Sequence, residues 1–196
     1  MWYKDYIDTY FKETEEIIAR INRAEIGRAI KMLKELRDRK GRLFIIGVGG
    51  SAANSSHAVN DFRKMCQIEA YAPVDNVAEL TAWTNDEGFE HIFQKWLKVS
   101  RLSSKDALMV FSVGGGSATV SRNIVLALDY AQEIGAKIIG VVSRDGGATK
   151  KSADITILIP VVHERRVTPH AEAWQGVVWH LLANALMDNH PVEPLA

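Results

Sequence analysis

The chain has 196 residues, of which 24% are charged and 47% are hydrophobic, and its 24 basic side chains balance its 24 acidic ones. This length suits one α/β domain with a sizeable core and leaves little room for two. The zero net charge disfavours a nucleic-acid partner, because proteins that bind phosphate backbones carry a basic excess. The single cysteine, Cys66, excludes an internal disulfide and a cysteine-based zinc site.

Membrane insertion is also disfavoured. The longest apolar runs, such as 43–48 and 107–113, are far shorter than the roughly 20 residues that span a bilayer. The N-terminus is charged from residue 4 and lacks the apolar core of a signal peptide. We therefore expect a cytoplasmic protein without a membrane partner.

The first 40 residues carry a helical pattern. Apolar side chains recur at helical spacing over 2–21. Asn22 followed by Glu25 resembles a capping box and predicts the start of a second helix, which should end at the basic residues and glycine of 39–41. Nearly 40 helical residues before the first strand are more than one small sheet needs to cover its faces. We expect part of residues 1–40 to form a subunit interface, with helices folded back on their own core as the alternative.

From residue 42 the pattern changes to short apolar runs without alternation, which is typical of strands buried on both faces. The predicted strands are 43–47, 69–72, 107–112, 137–143 and 155–160. The predicted helices between and after them are 51–66, 87–100, 119–134 and 169–187. This alternation predicts an α/β fold with a doubly wound, five-stranded parallel sheet flanked by helices. We expect one domain over 1–196, with its α/β core at 42–190.

Three predicted strands end in loops of small residues. The sequence Gly47-Val-Gly-Gly-Ser51 follows the first strand, and Ser51 is a natural helix N-cap. Segments 112–117 and 143–147 follow the third and fourth predicted strands and are again rich in glycine and serine. Ligands of parallel sheets bind outside the carboxyl ends of the strands. Hydroxyls and free N–H groups gathered there favour a phosphate monoester.

A dinucleotide-binding fold is the competing interpretation, because Gly47-x-Gly49-x-x-Ala52 matches G-x-G-x-x-A. Its confirming feature is an acidic residue at the end of the second strand. Asp75 is a poor match, since it lies behind Pro73, and a nucleotide would leave the second serine loop without a role. We expect no nucleotide cofactor. Glycines that serve only as turns remain a further alternative.

The ordered set of motifs resembles a sugar isomerase (SIS) domain, and most closely the phosphoheptose isomerases. The motifs are Gly47–Ser51, His57 with Asp61, Thr84–Gly88, Ser112–Ser117, Arg144–Gly147 and His180. The resemblance implies an aldose–ketose isomerase that interconverts sedoheptulose 7-phosphate and D-glycero-D-manno-heptose 7-phosphate through an enediol(ate), for surface-polysaccharide synthesis. It also implies a homotetramer with active sites at subunit interfaces, often with zinc.

The same resemblance implies a set of substrate-binding residues. These are Val48, Gly49, Gly50, Ser51, Asp61, Asn85, Asp86, Ser112, Val113, Gly114, Ser117 and Glu172. The family has asparagine in place of Val48 and hydroxyl side chains in place of Val113 and Gly114. We expect these departures to bear on the identity of the sugar more than on the phosphate.

The resemblance further implies a zinc site and two catalytic residues. The metal ligands would be His57, Asp61, Glu172 and His180, and the i, i+4 spacing of the first two puts both on one helical face. Glu172 and His180 lie about 12 Å apart along one helix, so both reach one ion only by leaning inward or by serving different subunits. Asp61 is the candidate base, and His180 the candidate acid and base for the oxygens.

Alternative roles for these residues and alternative functions for the protein remain. His57 alone would more often be a hydrogen-bonded helix histidine than a ligand, and Asp61 could pair with a neighbouring cation. A non-catalytic SIS protein that binds a sugar phosphate or a protein partner is one alternative function. An isomerase of another ketose phosphate is the second.

Overall fold

The computed structural model describes residues 2–187, so residues 188–190 of the predicted core lie outside the described part. Its centre is a five-stranded sheet in the order β2-β1-β3-β4-β5, and all neighbouring strands are parallel. The strands are β1 (Leu43–Gly47), β2 (Ala70–Tyr71), β3 (Ala107–Ser112), β4 (Lys137–Val142) and β5 (Ile155–Leu158). The predicted five-stranded parallel sheet is confirmed.

Eight α-helices accompany the sheet in residues 2–187. They are α1 (Trp2–Arg20), α2 (Arg23–Asp38), α3 (Gly50–Lys64), α4 (Val77–Glu87), α5 (Ile92–Val99), α6 (Arg122–Ile134), α7 (Gly147–Ser152) and α8 (Val167–Leu186). Short 3₁₀ turns occupy Pro73–Asp75 and Glu164–Arg166. No helix in this part of the chain combines the length and apolar character needed to cross a membrane.

Helices cover both faces of the sheet, and each face has its own apolar cluster. On one face, side chains such as Ile45 and Met109 pack with α2, α3 and α8. On the other face, Phe44 and Val110 pack with α5 and α6. Every residue of β1 and β3 is buried, which explains why these strands are continuous apolar runs in the sequence.

The N-terminal helices form nearly as predicted. The Asn22 side chain accepts hydrogen bonds from the backbone N–H groups of Ala24 and Glu25, so it caps α2. The Glu25 carboxylate pairs with Arg28. Beyond α2, Gly41 is needed for close approach, because a Cβ there would lie 2.2 Å from the carbonyl oxygen of Lys105.

A buried ionic network joins α1 to the start of α8. Glu13, which is only 8% exposed, accepts hydrogen bonds from two guanidinium nitrogens of Arg166. His170 Nε2 lies 2.8 Å from the same carboxylate, and its ring stacks on Tyr10. The Arg166 hydrogen bonds, helped by His170, lower the pKa of Glu13 from 4.5 to about 2. This network fixes the first turn of α8.

The region between β2 and β3 differs from the prediction. One helix was expected over 87–100, but the chain forms α4 and α5 with a break at Gly88, where φ is +85°. Helix α4 has no buried residue, so it leaves little apolar periodicity in the sequence. At its start, the Asn76 side chain accepts a hydrogen bond from the N–H of Glu79. Helix α7 was also not predicted.

Candidate functional site

A cavity of about 480 Å³ lies at the carboxyl ends of the central strands. Its lining includes six predicted substrate-binding residues: Val48, Ser51, Ser112, Val113, Gly114 and Ser117. Thus the loops after β1 and β3 meet at one place, as expected for a parallel sheet. Among the residues that the structure describes, no acidic side chain lines this cavity.

The hydroxyls of two loop serines accept hydrogen bonds from the backbone of their own loop. Ser112 Oγ accepts the N–H of Gly115 at 3.0 Å. Ser117 Oγ accepts from Val120 at 3.0 Å and from Thr119 at 3.3 Å. Because backbone donors occupy their lone pairs, the hydroxyl protons remain free to donate. Donors without a neighbouring carboxylate suit an anion.

Glycines allow the backbones of the loops after β3 and β4 to approach each other closely. A Cβ on Gly115 would lie 1.9 Å from the carbonyl oxygen of Gly146, and one on Gly147 would lie 2.3 Å from that of Gly114. Thr149 donates from both its N–H and its hydroxyl to the carbonyl of Gly115. The loops that follow β3 and β4 are therefore locked together, and this contact fixes the cavity wall.

The start of α3 differs from the prediction. Gly49, with φ +66°, is the N-cap, and Ser51 lies inside the first turn, so the predicted cap at Ser51 is wrong. A Cβ on Gly50 would lie 2.5 Å from Glu172 Oε2. The Glu172 carboxylate thus rests against the first turn of α3, where the helix dipole favours a negative charge.

A second constellation lies farther along α3 and α8. The ligand atoms of His57, Asp61 and His180 all lie within 4.8 Å of one another. Asp61 Oδ2 is 3.4 Å from His180 Nε2 and 3.7 Å from His57 Nε2. Both histidines are exposed and Asp61 is buried. Two imidazole nitrogens and a carboxylate oxygen form a nitrogen–oxygen donor set of the kind that zinc accepts.

Neighbouring groups orient the members of this cluster. The indole N–H of Trp179 donates to Asp61 Oδ2 at 3.1 Å, and Asn60 donates to Oδ1. His180 Nδ1 lies 2.8 Å from the carbonyl oxygen of Gly176. Since a carbonyl only accepts, Nδ1 carries the proton and Nε2 of the neutral ring presents its lone pair.

Three predicted site residues lie elsewhere in the chain. Glu172 lies outside the His57–Asp61–His180 cluster, so the four-ligand set is not assembled within one chain. The separation of about 12 Å along α8 is the reason. Asn85 and Asp86 are exposed near the end of α4, hydrogen-bonded to each other, and do not line the 480 Å³ cavity.

Five lining residues were not among the predicted substrate-binding residues: Gly116, Val120, Ser121, Arg144 and Thr168. Arg144 follows β4 in the third glycine-rich loop. The sequence analysis identified this motif but did not predict that Arg144 lines the cavity. Thr168 stands in the first turn of α8, four residues before Glu172 and on the same helical face. No local signal marks it, because only the packing of α8 brings it to the sheet edge.

The parallel sheet and the glycine–serine loops at its carboxyl edge agree with a SIS domain. Residues 9–143 match the SIS domain family, and the chain belongs to it. It is 29% identical over 188 residues to the phosphoheptose isomerase of Syntrophotalea carbinolica, over 92% of this chain and 91% of that protein. It is 31% identical over 150 residues to the phosphoheptose isomerase of Trichlorobacter lovleyi, over 74% of this chain and 72% of that protein. The structure of the Neisseria gonorrhoeae phosphoheptose isomerase superposes with a TM-score of 0.80 at 23% identity, over 93% of this chain and 98% of that one, and agrees in fold.

Proposed function

We propose that the chain is an aldose–ketose isomerase that interconverts sedoheptulose 7-phosphate and D-glycero-D-manno-heptose 7-phosphate. The observation that carries this function is the donor-lined cavity at the sheet edge, in a chain whose full-length relatives are phosphoheptose isomerases. Ser51, Ser112 and Ser117 would bind the phosphate, and Val48 and Val113 would face the sugar. The product would serve surface-polysaccharide synthesis in the cytoplasm.

The isomerisation needs one group that removes the proton next to the carbonyl and another that moves a proton between the two oxygens. Asp61 is the proposed base, since its carboxylate is held in place by the indole N–H of Trp179. His180 is the proposed acid and base for the oxygens. Its Nε2 is free for that task because Nδ1 is committed to Gly176.

Zinc is the proposed cofactor, held by His57, Asp61 and His180. The donor set and the fixed His180 tautomer support this choice. When bound, zinc would polarise the substrate carbonyl as a Lewis acid. Neither Asp61 nor His180 Nε2 can be a zinc ligand and a free acid or base at once, so a comparison of turnover with and without added zinc decides between these roles.

The site is proposed to be completed between subunits of a homotetramer. Ser51 in the cavity lining and Asp61 in the cluster are ten residues apart on α3, or about 15 Å. We propose that the phosphate cavity of one chain works with the catalytic cluster of another. The exposed aromatic side chains Tyr3, Tyr6 and Phe11 on α1 favour that helix as an interface.

Turnover of sedoheptulose 7-phosphate, followed by NMR, tests the function. The wild type should produce an aldoheptose phosphate signal, and His180→Gln should fold but abolish it. His91→Gln is the matched control, since His91 is a partly exposed histidine paired with Glu90. Near-normal turnover by His180→Gln would remove His180 from the mechanism. A silent wild type that still binds the sugar phosphate would indicate a regulatory protein instead.

A further inference from the structure

Arg144 adopts a backbone conformation that arginine disfavours. Its φ is +55°, in the left-handed region where a Cβ crowds the following carbonyl. The side chain is exposed, and its guanidinium makes no hydrogen bond or ion pair with any residue of 2–187. A strained residue whose side chain stabilises nothing in the fold is a candidate for function.

The strain comes from the turn in which Arg144 sits. The N–H of Ser143 donates to the carbonyl of Val113, and the N–H of Gly146 donates to the carbonyl of Ser143. The neighbouring Asp145 carboxylate accepts the N–H of Gly147, which holds it within the turn. None of these bonds uses the Arg144 side chain. Glycine would satisfy the same turn with less strain.

Arg144 lines the cavity proposed for the phosphate. Arg144 is the one charged residue among those that line it within the described part of the chain. A Cβ on Gly114 would lie 3.8 Å from Arg144 Cδ, so the arginine side chain passes beside the serine loop. The absence of a bulky group at Gly114 leaves this path open.

We propose that Arg144 binds the phosphate of the substrate, and this inference rests on the proposed function in taking the ligand to be a phosphate monoester. A guanidinium can form two parallel charge-assisted hydrogen bonds with phosphate oxygens. The loop bears Val113 and Gly114, which have no hydroxyl to donate. Arg144 supplies the donors and the positive charge that these two positions lack.

Arg144→Gly and Arg101→Gly form a matched pair of variants. Arg101 is also exposed, has φ +54° and makes no side-chain hydrogen bond or ion pair within residues 2–187, but it lies outside the cavity. Both variants relieve the same strain, so neither should lower the melting temperature. Arg144→Gly should raise KM for the sugar phosphate about 10- to 100-fold with a smaller effect on kcat. Arg101→Gly should leave KM unchanged, and Arg144→Lys should fall between the two.

The outcomes separate this inference from the function on which it rests. Wild-type turnover together with a KM for Arg144→Gly within twofold of the wild type overturns the role of Arg144 alone. If the wild type turns over no heptose phosphate, inorganic phosphate is titrated into the same variants by calorimetry. Weaker binding confined to the Arg144 variants then supports the inference, and equal binding by both glycine variants overturns it.

Discussion

Replacing Glu13 with glutamine removes the negative charge that joins α1 to the start of α8. The carboxylate accepts from two nitrogens of Arg166 and lies 2.8 Å from His170 Nε2. Glutamine keeps the shape but offers one acceptor oxygen and turns an amide donor toward other donors. Loss of one charge-assisted hydrogen bond at a buried position costs about 2–3 kcal/mol. For a chain of this size the melting temperature should fall by about 5–10 °C.

The pH dependence of this loss identifies its cause. The pKa of Glu13 is lowered from 4.5 to about 2, mainly by the Arg166 hydrogen bonds. A lowered carboxyl pKa stabilises the fold fully above about pH 4.5, and this stabilisation disappears as the pH falls through about 2. The difference in unfolding free energy between wild type and Glu13→Gln should therefore shrink over that range.

Urea denaturation at pH 7 and in steps down to pH 2 measures this difference. Glu16→Gln is the control, because Glu16 pairs with Arg20 on the surface and both side chains are half exposed. It should change the unfolding free energy by less than about 0.5 kcal/mol. A loss for Glu13→Gln as small as that of the control, or one that does not change with pH, would refute the reasoning.

Three further predictions concern the site and the core. Gly50→Ala should displace the Glu172 carboxylate and alter KM with little change in melting temperature; an unchanged KM would show that Glu172 does not bind the substrate. Its control, Gly27→Ala, has no atom within 4 Å of the new Cβ and should stabilise the fold by about 0.5–1 kcal/mol. His57→Ala should weaken zinc binding at least about tenfold in a chelator competition, while Glu172→Gln should not; equal effects would place Glu172 in the metal site. Burial raises the pKa of the Cys66 thiol to about 11. Iodoacetamide at pH 8 should therefore alkylate Cys66 about 100-fold faster in the urea-unfolded protein than in the folded protein, and equal rates would contradict that pKa.

The sheet could be predicted from the sequence because its strands are buried on both faces. Runs such as Leu43–Gly47 and Ala107–Ser112 are therefore apolar without alternation, and their bounds match the structure. Helix α4 could not be found in this way. None of its residues is buried, and hydrophobic periodicity reports only the side of a helix that faces a core.

The site was predictable where it follows local chain chemistry. The serines after β1 and β3 reach one cavity because the carboxyl ends of parallel strands share an edge. Thr168 could not be found, since only the docking of α8 brings it to that cavity. The rise per residue along α8 already set Glu172 apart from His180, and the structure places its carboxylate against Gly50.

The locked glycine loops divide this edge of the sheet into positions that tolerate substitution and positions that do not. A side chain at Gly115 or Gly147 would drive the two loops apart, because carbonyl oxygens lie 1.9 and 2.3 Å from where its Cβ would stand. Val48 and Val113 line the cavity and carry no such restriction. A library that aims to change the accepted sugar should therefore vary these two positions and leave the glycines untouched.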